Sequence, residues 1–499
     1  MTAPALTKSS FVSGQRCLRL LWLDHHRPEL RAAPTLDQRR RLEQGTEVGR
    51  RARDGYPGGV LIEGALIEGA PFDLDRARRE TADALASGAP ALFEAVFEHD
   101  GVRVVVDVLH RDEDDPDAWH LVEVKASTRL KAPRHLQDAA VQAHVLRACG
   151  LDLASVGVLH LNRDFVAPDR GELFTLEDVT RRIASVDVPA AVAEQKRILE
   201  RPGEPDVAIG SHCSNPYACP FKAHCWAPYG TRTIFQVPKA IHPTRRKRLA
   251  ESGQIRLEDL RDLDLLTPAE RAGVRLIANR EVRIDRHALR GRLDELVHPI
   301  HFLDFEAIDC AIPRYDGTHP YQHLPFQFSC HVLHEDGRIE HIDHLHEAAT
   351  DPRPELAEAL RDALGPSGSI VAFHADYERL RMKELARDLP DHAAWLQRAI
   401  ARLWDQEPIF RTAYVDHRFE GRTSIKKVLP VLCPDLSYRG MAVASGTEAM
   451  AAWDAAVHGE DPDPRRTFGA LRAYCRQDTW AMVRIHGVLE AAAGDGLPD

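Results

Sequence analysis

Two acidic groupings in this 499-residue chain have the residue types and spacing that hold divalent cations. In the first, Asp107 closes the apolar run Val102–Asp107, and Glu123-Val124-Lys125 sits in a later strand-like run. Residues two apart on a strand project from one face, so Glu123 and Lys125 converge. Carboxylates from neighbouring strands suit Mg2+ or Mn2+, hard ions that take oxygen ligands, while a lysine beside them can orient water or balance developing charge. That is the chemistry of phosphodiester hydrolysis. An isolated Glu-x-Lys, by contrast, reads as a cross-strand charge pair.

In the second grouping, Asp304-Phe305-Glu306 alternates acid, aromatic and acid, which puts both carboxylates on one strand face. Far downstream, Tyr474 and Asp478 are four apart and share a helix face, an arrangement suited to holding water beside a metal. Between them, the stretch Val371–Glu378 offers His374, Asp376 and Glu378 after a strand.

A third grouping is made of thiols. Cys213, Cys219 and Cys225 recur at equal spacing among prolines and small residues that let the chain bend round a centre. Nine cysteines, an odd number, in a chain with no secretion signal point to ligands over disulfides. Four thiolates are the usual complement of an iron-sulfur cluster, and Cys17 is the best distant fourth. Zinc is the rival, with His212 or His224 able to replace a thiolate, and reduced buried cysteines are the third reading.

Strands and helices must bring these groups together. A charged helix over Leu36 to about Arg53 ends at the breaker cluster Asp54–Gly59. Strands follow at Ala91–Glu98 and Val102–His110, joined by the hairpin signal Asp100-Gly101, then at His120–Ala126. A helix over Pro133–Cys149 and an apolar strand over Ser155–Asn162 complete this part. From Pro243 to about Leu296 the chain is charged and helix-rich. A new strand opens at His298, a turn falls at Glu335–Arg338, a strand is expected over Ser369–His374, and a long helix carries Tyr474 and Asp478.

The length favours two or three domains, and 44% hydrophobic residues with 31 Gly and 32 Pro are ordinary for globular protein. The predicted class is α/β: two mixed-sheet α/β domains, residues 1–235 and 297–499, joined by a helical connector over 236–296. With 65 Lys and Arg against 76 Asp and Glu, the net charge of -11 excludes a general nucleic-acid coat, so any such contact is local. No run approaches the ~20 apolar residues of a bilayer crossing, which predicts no membrane partner and a cytoplasmic protein. Neither a Walker A loop nor a dinucleotide fingerprint is present, which speaks against an ATP-driven motor.

Placed in order, Asp107, Glu123-Val124-Lys125 and Gln142 on the following helix resemble the RecB-type branch of the PD-(D/E)XK nucleases, in which these four positions are functional. Relatives often place a metal-binding histidine on the upstream helix, where this chain reads Gly45-Thr46-Glu47-Val48-Gly49; Glu47 is the available oxygen there. One early cysteine and three late ones resemble the iron-sulfur members of that branch. The likeness implies a structural cluster, 4Fe-4S in type, on Cys17, Cys213, Cys219 and Cys225, although the triad there begins with a tighter pair than this chain has.

Asp304-Phe305-Glu306 with Tyr474 and Asp478 resembles the DEDDy exonucleases on the ribonuclease H-like fold. The middle motif would then fall on His374 and Glu378, where relatives carry Asn and Asp; Asp376 is an alternative ligand. The segments Pro320–Ser329 and Thr423–Pro430 resemble an uncharacterised bacterial family, a domain of unknown function carried behind a RecB-type nuclease. The resemblance implies a metal-dependent nuclease acting on nucleic acid, DNA for the first domain and DNA or RNA for the second. The alternative is a nucleic-acid-binding scaffold with one or both sites degenerate.

Weaker signals remain. Tyr321, Phe326 and Phe328 read as core aromatics more readily than as base-stacking platforms, and Lys426 and Lys427 suit either phosphate contact or a solvated helix start. His341, His344 and His346 read as surface histidines, with His341 on the opposite strand face from the other two. The basic run Arg245–Arg248 behind Thr244, a suitable N-cap, reads as a solvated helix first and a DNA-backbone contact second.

Overall fold

A computed structural model describes residues 6–65, 73–237, 240–261 and 263–494. The chain is α/β, built on mixed sheets, and divides into two compact units. The first comprises residues 1–227 with 310–321, and the second 228–309 with 322–499. The expected connector therefore belongs to the second unit, while the link between two of that unit's strands groups with the first.

In the first unit, β1 (Leu6–Thr7), β2 (Val60–Leu61), β3 (Ala91–His99), β4 (Val102–Arg111), β5 (Ala118–Lys125), β6 (Asp152–Leu161) and β7 (Phe174–Asp178) form one sheet. Its order is β2-β3-β4-β5-β6-β7, with β1 parallel to β4. The β3–β4 hairpin turns at Asp100 and Gly101, both at positive φ (47° and 65°), as a tight two-residue turn requires. β5 and β6 are parallel, so a helix, Arg134–Ala148, must cross between them. It buries Leu136, Ala139, Val141, Ala143 and Val145 against the sheet, and Asp138 and Gln142 are buried with them.

The second unit begins with helices Pro243–Glu251, Pro268–Ala278 and Arg286–Leu293. The first of these is capped by His242, whose ring accepts from the Thr244 amide, so the expected Thr244 cap is displaced by two residues. A small pair, β8 (Val282–Ile284) with β14 (Tyr414–Asp416), lies apart from the main sheet. That sheet holds β9 (Ile300–Asp309), β10 (His323–Leu333), β11 (Ile339–Leu345), β12 (Ile370–Ala372) and β13 (Leu403–Asp405) in the order β11-β10-β9-β12-β13. β11, β10 and β9 run antiparallel, and β9, β12 and β13 parallel.

Alternation along β9 assigns its side chains to two cores. Phe302 packs with Met482 and Ile485 of the C-terminal helix Pro464–Ala493, whereas Leu303 and Phe305 pack with Leu356, Leu360 and Met382. Asp304 and Glu306 share the face of Phe302, under the C-terminal helix. Phe326 and Phe328 are fully buried, as core aromatics. No helix among the described residues is long and apolar enough to cross a membrane.

β9 enters the sheet at a tight point: Gly368 has φ +86°, and a Cβ there would lie 2.0 Å from the Pro299 carbonyl oxygen. Neither backbone can yield without moving β9 or β12. Gly368→Ala is expected to lower stability by about 2 kcal/mol or more, read as a fall in the denaturation midpoint, whereas Gly291→Ala, with open space around it, should change little.

Candidate functional site

In the first unit the sheet lays carboxylates side by side. Val108 pairs with Val122, so Asp107 and Glu123 are cross-strand neighbours, and the Val124 amide donates to Asp107 Oδ2 at 2.7 Å. Lys8, on the first helix, reaches both: Nζ lies 3.1 Å from each Glu123 oxygen and 3.5 Å from Asp107 Oδ1. Lys125 bridges Glu123 and Asp138, and Gln142 Nε2 donates to Glu123 Oε2 at 2.5 Å. Asp107, Glu123, Lys125 and Gln142 thus come together as expected.

Burial alone would raise the Glu123 pKa, yet Lys125, Lys8 and Gln142 hold it below the ordinary range. Asp107 is pushed up to about 7, by burial first and then by Glu123, against the pull of Lys8 and Lys125. Lys8 stays firmly charged: burial works against it, but Asp107, Glu123 and Asp138 outweigh burial.

Sequence reasoning missed three members of this site. Lys8 is 115 residues from Glu123 and belongs to no motif. Asp138 precedes Gln142 by one helical turn, a signal available in retrospect. Glu94 adopts φ +56° in β3 between residues paired with Val106 and Val108, which sets it opposite Asp107, and its carboxylate pairs with Arg53 at 3.0 Å. Glu47, in contrast, is a half-exposed helix carboxylate paired with Arg50 at 2.7 Å.

The four thiols line one cavity in the first unit, with Arg16, Arg19, His212 and Lys222 among its cationic walls and Leu20, Leu23, Ile209 and Phe221 among its apolar ones. Cys17 sits between the helices Lys8–Arg16 and Leu18–His26, and the Arg19 and Leu20 amides donate to its sulfur. His212 bonds Cys17 and Cys213, which pushes its pKa up to about 10, while Cys213 falls to about 7, His212 and the Gly210 amide outweighing burial. Arg16 donates to the His212 and Tyr217 carbonyls, fastening the first helix to the cysteine segment.

The donors and positive surroundings fit a thiolate-bound centre. The described groupings of three or more potential ligands within 4.8 Å of one another are Asp304–Glu306–Asp478 and His344–His346–Glu355.

In the second unit the ligand atoms of Asp304, Glu306 and Asp478 lie within 4.8 Å of one another, although Asp304 and Asp478 are far apart in the chain. The Tyr438 hydroxyl donates to Asp478 Oδ1 at 2.6 Å, and Tyr474 also bonds Asp478. Lys426 Nζ sits 5.4 and 5.6 Å from the Tyr438 and Tyr474 rings and donates to the Ala444 carbonyl. Gly446 approaches closely: a Cβ there would be 3.3 Å from Glu306 Oε2.

Glu378 stands just outside the tight trio, and its Oε2 is buried without a hydrogen-bond partner. It is near enough to raise both Asp304 and Glu306. Glu306 and Glu378 are both pushed up to about 8, by burial first, and then by Asp478 for Glu306 and Asp405 for Glu378. Asp478 rises to about 6 through burial, restrained by Tyr438, Lys426 and Tyr474. An orphaned buried oxygen beside three converging carboxylates is a donor set that fits Mg2+ or Mn2+.

A family profile, Domain of unknown function (DUF2779), matches residues 301–424. The match includes Asp304, Glu306 and Glu378 and the expected segment Pro320–Ser329, reaches only the start of Thr423–Pro430, and ends before Tyr474 and Asp478. No curated protein matches the chain.

Other expectations resolve locally. Asp376 points to solvent and pairs with Arg379 at 2.6 Å, so it does not join the acidic trio. His374, at φ +67°, donates its amide to Asp405 Oδ1. Lys427 pairs with Glu420, and Arg245 with Glu270. His346 is buried, against the expectation of a surface residue, because its ring is taken up by Glu355 and Thr350.

Glu306 and Glu378 release protons at about 8 when folded, but near 4.5 when unfolded. Between those values the unfolded chain holds fewer protons, so the contribution of this site to metal-free stability falls as pH rises. Asp304→Asn removes an acid whose ionisation is opposed by burial and by Asp478, Glu306 and Glu378, and is expected to stabilise the metal-free protein by about 1–2 kcal/mol at pH 8, while weakening Mn2+-dependent stabilisation; calorimetry at pH 6 and 8 reads both. In the wild type, Mn2+ affinity at this site should increase with pH up to about 8, with proton release visible in buffers of different ionisation enthalpy.

Proposed function

We propose that this protein is a metal-dependent nuclease with two carboxylate centres, one of RecB-type PD-(D/E)XK character and one of DEDDy-like exonuclease character on a ribonuclease H-like fold, and a structural iron-sulfur cluster, 4Fe-4S in type. The observation that carries the reading is the convergence of Asp304, Glu306 and Asp478, with the orphaned Glu378 oxygen beside them. Carboxylates crowded out of water at this density call for divalent cations.

Mg2+ or Mn2+ on these carboxylates would polarise the scissile phosphate and ease deprotonation of water. The protein's own groups do the rest. Tyr474 and Tyr438 stay neutral, raised by burial and Asp478, and with their protons on Asp478 they fix that carboxylate while their oxygens can accept from and so orient water. Lys426 offsets negative charge at Glu306 and Asp478. In the first unit Asp107 and Glu123 supply the oxygen ligands, Lys125 orients water, and Gln142 holds Glu123. Cys17, Cys213, Cys219 and Cys225 would hold the cluster, tying the first helices to the cysteine segment.

DNA is the substrate proposed for the first unit; the second would trim DNA or RNA, because phosphate-gripping carboxylates do not read the sugar. One observation favours a second reading for the first unit: the Lys8 ammonium already sits on Glu123 and Asp107. There the site would bind nucleic acid without cutting it.

The test is degradation of labelled DNA by purified protein with Mn2+. Asp304→Asn and Asp107→Asn should each remove one component of the activity by roughly 100-fold or more, and the double variant should be inert. Wild-type rates in the double variant would reject the nuclease reading, and binding without cleavage by wild type would select the scaffold. Anaerobic protein should be brown, with visible absorption lost in Cys213→Ser.

A further inference from the structure

We infer that His344, His346 and Glu355 form a zinc site in the second unit, independent of the acidic pocket and of the proposed activity. Their donor atoms lie within 4.8 Å of one another. The sheet separates them from the carboxylate trio. Ser329 pairs with both Asp304 and Asp343, whereas His344 pairs with Phe328, whose ring packs with Leu356 and Leu360 on the other face.

Each donor is held before any ion arrives. His344 stacks on Phe328, with ring centroids 6.0 Å apart, and its Nε2 is buried without a hydrogen-bond partner. His346 is pinned through its backbone: its amide donates to the Phe326 carbonyl at 2.9 Å, and its carbonyl accepts from Trp453 Nε1 at 2.6 Å. Trp453 in turn stacks on Phe326. Glu355 comes from the first turn of the helix Arg353–Leu364, whose start is anchored by Arg353 on Asp351 and Asp388.

His346 already turns one ring nitrogen to the carboxylate of the set. Nδ1 lies 2.6 Å from Glu355 Oε2, and Nε2 lies 3.0 Å from Thr350 Oγ1. In the ion-free site Nδ1–H donates to the carboxylate and Nε2 accepts from Thr350; zinc would take the place of the Nδ1 proton, and Nε2–H would then donate to Thr350, which would fix the tautomer as outer-shell partners of zinc-bound histidines do. Two imidazoles and a carboxylate are a zinc donor set, with bonds of ~2.0–2.2 Å and a fourth position left to water. The mostly exposed Glu355 can turn to close the remaining distance. Such an ion would clamp the end of β11 to the start of the following helix.

The full chain, stripped with a chelator, would be titrated with Zn2+ under excess Mg2+ against a chromophoric zinc indicator, with thermal melts in parallel. Wild type should bind one more zinc per chain than either His344→Ala or Glu355→Gln, and zinc should raise its Tm by several degrees more than theirs. The Glu355→Gln variant changes an exposed side chain without altering its size, so it guards against misfolding as the cause. Equal zinc stoichiometry and equal Tm shifts in wild type and Glu355→Gln would overturn the site. Zinc held by the thiols is common to all three proteins and cancels in the comparison.

Discussion

A carboxylate withdrawn from water must keep its proton, gain a cation or be ringed by donors, and the two units answer that constraint differently. The first supplies its own cations. Lys8 and Lys125 flank Glu123 and keep it ionised, and the residual strain falls on Asp107, which is pushed up to about 7. The second sets the Tyr438 and Tyr474 phenols, the exposed Lys426 and, at Glu378, Arg379 and Arg381 against its acids, and burial outweighs them, so Glu306 and Glu378 hold their protons to about 8. The first site answers burial with its own lysines; the second answers it by keeping protons on its carboxylates.

The scaffolds follow from that demand. Carboxylates two apart on β9 share a face only while the strand remains regular, and Phe305 between them, with Leu303 before them, anchors it in a core on the opposite face. In the first unit, the parallel β5–β6 pair forces a crossover helix, and that helix carries Asp138 and Gln142 back over Glu123. Position is obtained from the sheet and charge balance from what packs on it.

Much of this was legible in the amino-acid sequence because its signals are local. Alternating acids, the Asp100-Gly101 turn and the helix after β5 are short-range patterns with direct physical meaning, and the α/β class follows from their order. What escaped reading was non-local. Lys8 is brought to Glu123 by the pairing of β1 with β4 and the packing of its helix on the crossover helix, and Tyr438 reaches Asp478 from a segment without regular periodicity. Strand alternation already separated His341 from His344 and His346, but it carried no hint that a helix would bring Glu355 to them. The Thr244 cap was misplaced because an imidazole accepts an amide hydrogen as a hydroxyl does.

The helix Pro464–Ala493 carries Asp478 and Tyr474 to the acids of β9 and, one turn further on, packs Met482 and Ile485 on Phe302. Fraying of that single helix would therefore dismantle the acidic pocket and one of the two cores flanking β9 in the same event.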